Sequence, residues 1–223
     1  MKADAAAILR PEQADYLEAL EPTRDPLLVK MEALAAERHN PISDPEVASF
    51  LAITCAARAP KLVVELGTNI GYGAIVLARA AGPGAKVITI EMAHTHVQTA
   101  RAFIEEAGLS SQIEVRQGAA IAELEKIEEP IDFAYIDCVK EEYPRYLELL
   151  VPRLSLHGVI VADNVLWRGM VARGDQIPES ERERAEALRV FNLALVQHPQ
   201  LRALVLPLGD GVGFAVKIEP RSS

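Results

Sequence analysis

Cysteine is scarce. Cys55 and Cys138 are the only two in 223 residues; they form no CxxC pair and cannot build a disulfide framework. That scarcity fits a reducing compartment, and a cytoplasmic setting is expected. Basic charge is also short: 23 Lys and Arg stand against 32 Asp and Glu, for a net charge of −9. With no basic stripe, nucleic-acid binding is not expected as the main task. Long apolar runs are missing, so no segment reads as a membrane span and no membrane partner is expected. Met1–Arg10 carries an Ala-rich run without the apolar core of a signal peptide. No internal repeat or low-complexity linker interrupts the chain. Half of the residues are hydrophobic, enough for the core of one large domain spanning 1–223.

The apolar pattern divides that span in two. Residues 1–58 read as helical, with helices predicted at Pro11–Leu20, Asp25–His39 and Pro45–Arg58. Asp44 is a candidate cap for the third, with Pro45 at its first position. Residues 61–218 alternate strands and helices. Strands are predicted at Lys61–Leu66, Lys86–Glu91, Gln112–Arg116, Ile131–Ile136, Gly158–Ala162, Ala203–Leu206 and Gly213–Ile218. Helices are expected at Gly71–Ala81, His94–Ala107, Ala119–Ile127, Glu141–Leu154 and Ser180–His198. Repeated βα units imply a doubly wound, mostly parallel seven-stranded α/β sheet. The short turn Gly209-Asp210-Gly211 joins the last two strands as a hairpin, so the final strand should run antiparallel. In such sheets ligands sit beyond the carboxyl ends of the strands, at the switch point.

The first of these ends reads Glu65-Leu-Gly67-Thr68-Asn-Ile-Gly71-Tyr72-Gly73. The glycine spacing is not the G-x-G-x-x-G of a dinucleotide fold. An acid at that tip, Glu65, suits a ligand with a positive ammonium, such as the methionyl part of S-adenosylmethionine. Glu91 ends the second strand, where a carboxylate can accept both hydroxyls of a ribose. Gly118-Ala119, after the third strand, would then lie near the adenine. Met92 is an apolar lid for that ring or a core methionine.

The fourth and fifth strands end in Asp137 and Asp163-Asn164. Two carboxylates and an amide oxygen in one volume are unfavourable unless a cation lies between them; otherwise they are cap and turn residues. An all-oxygen set suits Mg²⁺, with Ca²⁺ or Mn²⁺ as alternatives.

Four segments together resemble the cation-dependent O-methyltransferases, the family of catechol and caffeoyl-coenzyme A O-methyltransferases and their bacterial relatives. They are Glu65–Tyr72, Tyr135–Lys140, Asp163–Trp167 and Leu208–Gly211, and the likeness runs from about Ile42 to Ile218. The resemblance implies the methyltransferase form of the doubly wound sheet. It implies Asp137, Asp163 and Asn164 as metal ligands and Lys140 as catalytic base beside Asp137. Glu65, Gly67, Tyr72 and Glu91 are implied as cofactor contacts; Thr68, Gly73, Met92, Gly118, Ala119 and Asp137 join them in the predicted cofactor site. Lys140 and Trp167 are expected against a small aromatic acceptor. Relatives are commonly dimeric, and the N-terminal helices, not needed by the sheet, could pack across a two-fold axis. Cys138-Val139 and Arg168 depart from the bacterial pattern, which touches substrate choice more than chemistry.

The expected reaction is an in-line displacement at the sulfonium methyl, in which the protein mainly aligns the partners. Other residues are discounted. His94 and His96 lie two apart at a helix start and face different sides. Cys138 has no evident histidine partner, which favours packing over catalysis. Asp210 most simply serves its turn. The rival readings are a nicotinamide oxidoreductase, opposed by Glu65 and the glycine spacing, and a binding relative without turnover, opposed by the intact Asp137, Lys140, Asp163 and Asn164.

Overall fold

The computed structural model describes residues 11–20, 25–174 and 176–219; the expectation for Met1–Arg10 falls outside them. Three helices come first: α1 (Pro11–Ala19), α2 (Pro26–Arg38) and α3 (Pro45–Arg58). Asp25 caps α2 by accepting from the Leu27 N–H at 2.8 Å. Asp44 occupies the N-cap position of α3 without making a side-chain capping bond.

The alternating units follow as β1 (Leu62–Leu66), α4 (Tyr72–Ala81), β2 (Lys86–Glu91), α5 (His94–Glu106), β3 (Ile113–Gln117) and α6 (Ala120–Leu124). After them come β4 (Ile131–Ile136), α7 (Tyr143–Arg153), β5 (Leu154–Ala162), α8 (Glu179–Gln197), β6 (Leu201–Leu206) and β7 (Val212–Lys217). They form one seven-stranded sheet in the order β3-β2-β1-β4-β5-β7-β6. β7 is antiparallel to both neighbours, as the Gly209–Gly211 turn implies, and the other pairs are parallel. β1 is apolar on both faces apart from Glu65 because helices cover both sides. One core, with Leu66, Ile136, Tyr143 and Phe191, fills the α6–α7–α8 side. The other, with Met31, Leu51, Ile75 and Tyr135, fills the α2–α3–α4–α5 side.

Several boundaries differ from the pattern reading: α6 stops at Leu124 rather than Ile127, β6 begins at Leu201 rather than Ala203, and β3 and β7 shift by one residue. β5 begins at Leu154 rather than Gly158, because Leu154 pairs with Ile131 before a register shift, and His157 turns through a positive φ of 63°. The helix expected from Glu141 begins as a 3₁₀ turn, Lys140–Glu142, before α7. Among the described residues no helix is long and apolar enough to cross a membrane.

The sheet ladder continues past the strand ends and sets the site. The Gly67 N–H donates to Ile90 O, Gly118 to Glu91 O, Asp137 to Leu66 O and Asp163 to Ile136 O, all at 2.9–3.0 Å. Tips 23 to 71 residues apart in sequence are thereby hydrogen-bonded to each other. Gly67 is confined by this closeness: its φ is +103°, and a Cβ there would lie 2.0 Å from the Asp137 carbonyl oxygen.

Candidate active site

The tips open on a cavity of about 800 Å³. Gly67, Glu91, Met92, Gly118, Ala119, Asp137, Lys140, Asp163, Asn164 and Trp167 all line it. These ten come from the loops after β1 to β5, so the sheet's switch point is the site.

Four predicted residues stand behind the wall. Glu65 is 1% exposed; its Oε2 accepts from the Thr89 hydroxyl at 2.5 Å. Thr89 in turn contacts the Thr68 hydroxyl, also buried. Gly73 leaves room for Glu65, since a Cβ there would meet Oε1 at 2.1 Å. The Tyr72 hydroxyl donates to Glu32 Oε1 at 2.7 Å. The chain runs on in sheet register through Gly67, so the tip lies two residues beyond Glu65. Burial, with the charges of Asp137 and Glu91 adding to it, pushes the Glu65 carboxyl up to about 8, against a lowering bond from Thr89.

At the nucleoside end, Glu91 accepts from the Asn69 N–H at 2.9 Å and from the Ala93 N–H at 2.8 Å. Asn69 itself donates through Nδ2 to Pro41 O at 2.5 Å, while its Oδ1 is buried with no hydrogen-bond partner. An unmatched acceptor in the wall beside Glu91 fits a ligand bearing N–H or O–H groups. His96 also lines this end, 3.7 Å from Glu91, whereas His94 faces away to Gln98 and Gln117. Met92 is 69% exposed at the rim, which excludes the core reading.

At the acidic end, Asp163 is buried. Its Oδ1 accepts from the Asn164 N–H at 2.7 Å, and Tyr135 OH lies 3.3 Å from Oδ2. Ser43 and Tyr135 share a hydrogen bond of 2.8 Å behind it. Burial, and next the charge of Asp137, hold the Asp163 carboxyl well above the usual range. Asn164 has a φ of 58°, a left-handed conformation that asparagine tolerates better than most residues. Two facing carboxylates and an amide, all oxygen, fit a hard divalent cation. Among the described residues no cluster of three or more His, Cys, Asp or Glu is placed for a metal.

Lys140 is buried, not solvated. Its Nζ donates to Asp137 Oδ1 at 2.8 Å and to Tyr143 OH at 2.9 Å. The Trp167 indole N–H donates to Glu181 Oε2 at 2.8 Å, and the Arg184 guanidinium lies 5.8 Å from its ring centre. Cys138 is a free thiol; burial raises it to about 12, which leaves no reactive thiolate. Asp210 does more than close its turn: its Oδ1 accepts from the Arg168 N–H at 2.6 Å and it lines the cavity.

Sequence reasoning passed over Ser43, Asn69, Tyr135 and Tyr143, and it discounted His96, which lines the cavity. Tyr135 was discoverable by strand alternation, two residues before Asp137, and Tyr143 by lying three residues after Lys140. Ser43 and Asn69 carried no local signal.

A reversed last strand on an otherwise parallel doubly wound sheet, with an acid-lined cleft at its switch point, defines a methyltransferase-type α/β protein. Comparison with known proteins makes the class specific. The O-methyltransferase family model matches residues 26–218, and the chain belongs to that family. It is similar to a catechol O-methyltransferase of Niastella koreensis, 34% identical over 204 residues, covering 86% of this chain and 90% of the relative. It is also similar to a flavonoid 3',5'-methyltransferase of Vitis vinifera, 31% identical over 177 residues, covering 76% and 75% of the two chains. An O-methyltransferase of Bacillus cereus, solved in complex with SAH, superposes with a TM-score of 0.82 at 29% identity over 92% of this chain and 97% of that one.

Proposed function

We propose that this protein transfers the methyl group of S-adenosylmethionine to a hydroxyl on a small aromatic ring, with a divalent cation required. The observation that carries the reading is the convergence of Asp137, Asp163, Asn164 and the Lys140 side-chain nitrogen at one end of a cleft whose other end carries Glu91 and Asn69. The names of the relatives, catechol and flavonoid methyltransferases, and the SAH in the Bacillus cereus protein support it.

S-adenosylmethionine supplies an already activated methyl, so the chain's work is alignment and making the nucleophile. A phenol has a pKa of about 10, and ionising it at pH 7 costs about 4 kcal/mol. A cation held by Asp137, Asp163 and Asn164 would supply positive charge that lowers this cost, Mg²⁺ suiting the donor set best and Ca²⁺ or Mn²⁺ also fitting it. Glu91 and Asn69 hold the nucleoside, and Met92 with Gly118-Ala119 flank its base. Trp167, fixed by Glu181 and Arg184, orients the acceptor ring. Lys140 receives the hydroxyl proton at Nζ. Glu65 shapes the glycine turn from behind, as the acceptor of the Thr89 hydroxyl. The free thiols of Cys55 and Cys138 support a cytoplasmic setting.

Calorimetry with S-adenosylhomocysteine tests the nucleoside end. Glu91→Ala should weaken binding by about 1–3 kcal/mol, the range for losing a buried hydrogen-bond partner. Unchanged affinity removes Glu91 from the site.

We propose further that the protein is a homodimer. Tyr16, Leu17 and Leu20 in and just after α1, Val29 of α2 and Ile53 of α3 are exposed apolar side chains, a pattern expected of a surface that a second copy covers. Light scattering at micromolar concentration should give twice the chain mass; a monomer mass refutes it.

A further inference from the structure

The proton-accepting nitrogen of Lys140 is held by two acceptors, and the second has no role in the reading above. Tyr143 is fully buried, edge-on against Phe191 with ring centres 5.3 Å apart. Its hydroxyl lies 3.0 Å from the Asp163 carbonyl oxygen and 3.3 Å from that of Ile136. A phenol has one proton, and these carbonyls can only accept, so that proton is committed to the backbone at the end of β5. The oxygen therefore meets Lys140 Nζ, 2.9 Å away, with a lone pair. Burial, and then the charge of Asp137, raise the Tyr143 hydroxyl well above its ordinary range, so it stays a phenol.

Lys140 Nζ has three tetrahedral directions besides the one to its own carbon. Asp137 Oδ1 fills one at 2.8 Å and Tyr143 OH a second at 2.9 Å. The third is left for the open space that Lys140 borders, which is the cavity. With only one acceptor the nitrogen would turn about its last carbon–nitrogen bond, and its free direction would spend part of its time against the wall.

We propose that Tyr143 is a positioning residue that aims the free direction of Lys140 Nζ at the acceptor hydroxyl. This rests on Lys140 being the base. Tyr143 touches neither donor nor acceptor and acts only through that nitrogen.

A double-mutant cycle on the full chain, with Mg²⁺, S-adenosylmethionine and a catechol as acceptor, separates the two claims. Tyr143→Phe keeps the ring against Phe191 and should lower kcat by about 10- to 100-fold, the worth of a hydrogen bond to a charged group, with KM for both substrates unchanged. In a Lys140→Ala background the same substitution should change kcat by less than about twofold, because nothing remains to aim. The melting temperature and the calorimetric affinity for S-adenosylhomocysteine should stay close to wild type. If Lys140→Ala leaves kcat intact, the base assignment fails and the positioning role with it. If Lys140→Ala lowers kcat but Tyr143→Phe does not, or if the two losses add, only the positioning role is overturned. A fall in donor affinity that accounts for the loss of kcat makes Tyr143 structural and also overturns it.

Discussion

Thorough chelation should abolish methyl transfer, and Mg²⁺ should restore it. Asp163→Ala should lower turnover by about 1,000-fold even with metal present, the factor corresponding to about 4 kcal/mol of phenol ionisation no longer offset. S-adenosylhomocysteine affinity should change little, because Glu91 ends β2, Asn69 follows β1, and neither shares a hydrogen bond with Asp163. Stability gives an independent readout. The Asp163 carboxyl is held above the ordinary range by burial and then by Asp137, so the unfolded chain loses this proton at lower pH than the folded one. Metal-free protein should therefore lose stability as pH rises above the usual carboxylate range. Glu65 acts with the same sign between its ordinary 4.5 and about 8. Asp163→Asn removes one of these burdens, and its metal-free melting temperature at pH 8 should equal or exceed that of wild type. Mg²⁺ should raise the melting temperature of wild type and not of Asp163→Ala. Activity that survives chelation would reduce the acid pair to cap and turn residues and reopen the acceptor class.

Lys140→Ala should cost about 100- to 10,000-fold in kcat near neutral pH, the usual span for losing a positioned base. The loss should be greatest at low pH, where the acceptor is hardest to ionise, and should shrink at high pH, where solvent takes the proton. Binding of both substrates should persist, although Asp137 loses the hydrogen-bond donor now 2.8 Å away. A loss that is the same at every pH would show that Lys140 supplies charge rather than receiving a proton. Stopped assays across pH with labelled methyl donor distinguish these outcomes.

Much of the fold was legible in the chain because its signals are local. Apolar runs of five or six residues ending in Gly, Asp or Glu mark β1 to β5, and the Gly209–Gly211 turn forces β7 to reverse. Part of the cleft lining was legible for the same reason: Glu91 ends a strand and Asp137 and Asp163-Asn164 follow strand ends, and sheets of this kind place such ends together. Boundaries set by pairing rather than pattern were misplaced. Leu154 joins β5 because Ile131 lies opposite, a fact that no stretch from Leu154 to Gly158 contains.

The sequence by itself therefore determined the order of the βα units, the reversed last strand, the family and the acidic end of the cleft. Only the tertiary structure decided which candidates face that cleft. Glu65 looks like a tip from its position in the run, yet Gly67 continues the ladder to Ile90, and Glu65, Thr68 and Gly73 fall behind the wall. Lys140 looks like a surface lysine, yet it is buried between Asp137 and Tyr143. Ser43 reaches the site through Tyr135, 92 positions along the chain, and Asn69 through Glu91, 22 positions along. Periodicity along a strand or helix says which residues share a face. Which face meets which, and at what register, is settled by packing between distant segments, and the Tyr143 hydroxyl bond to the Asp163 carbonyl exists only because β5 ends beside it.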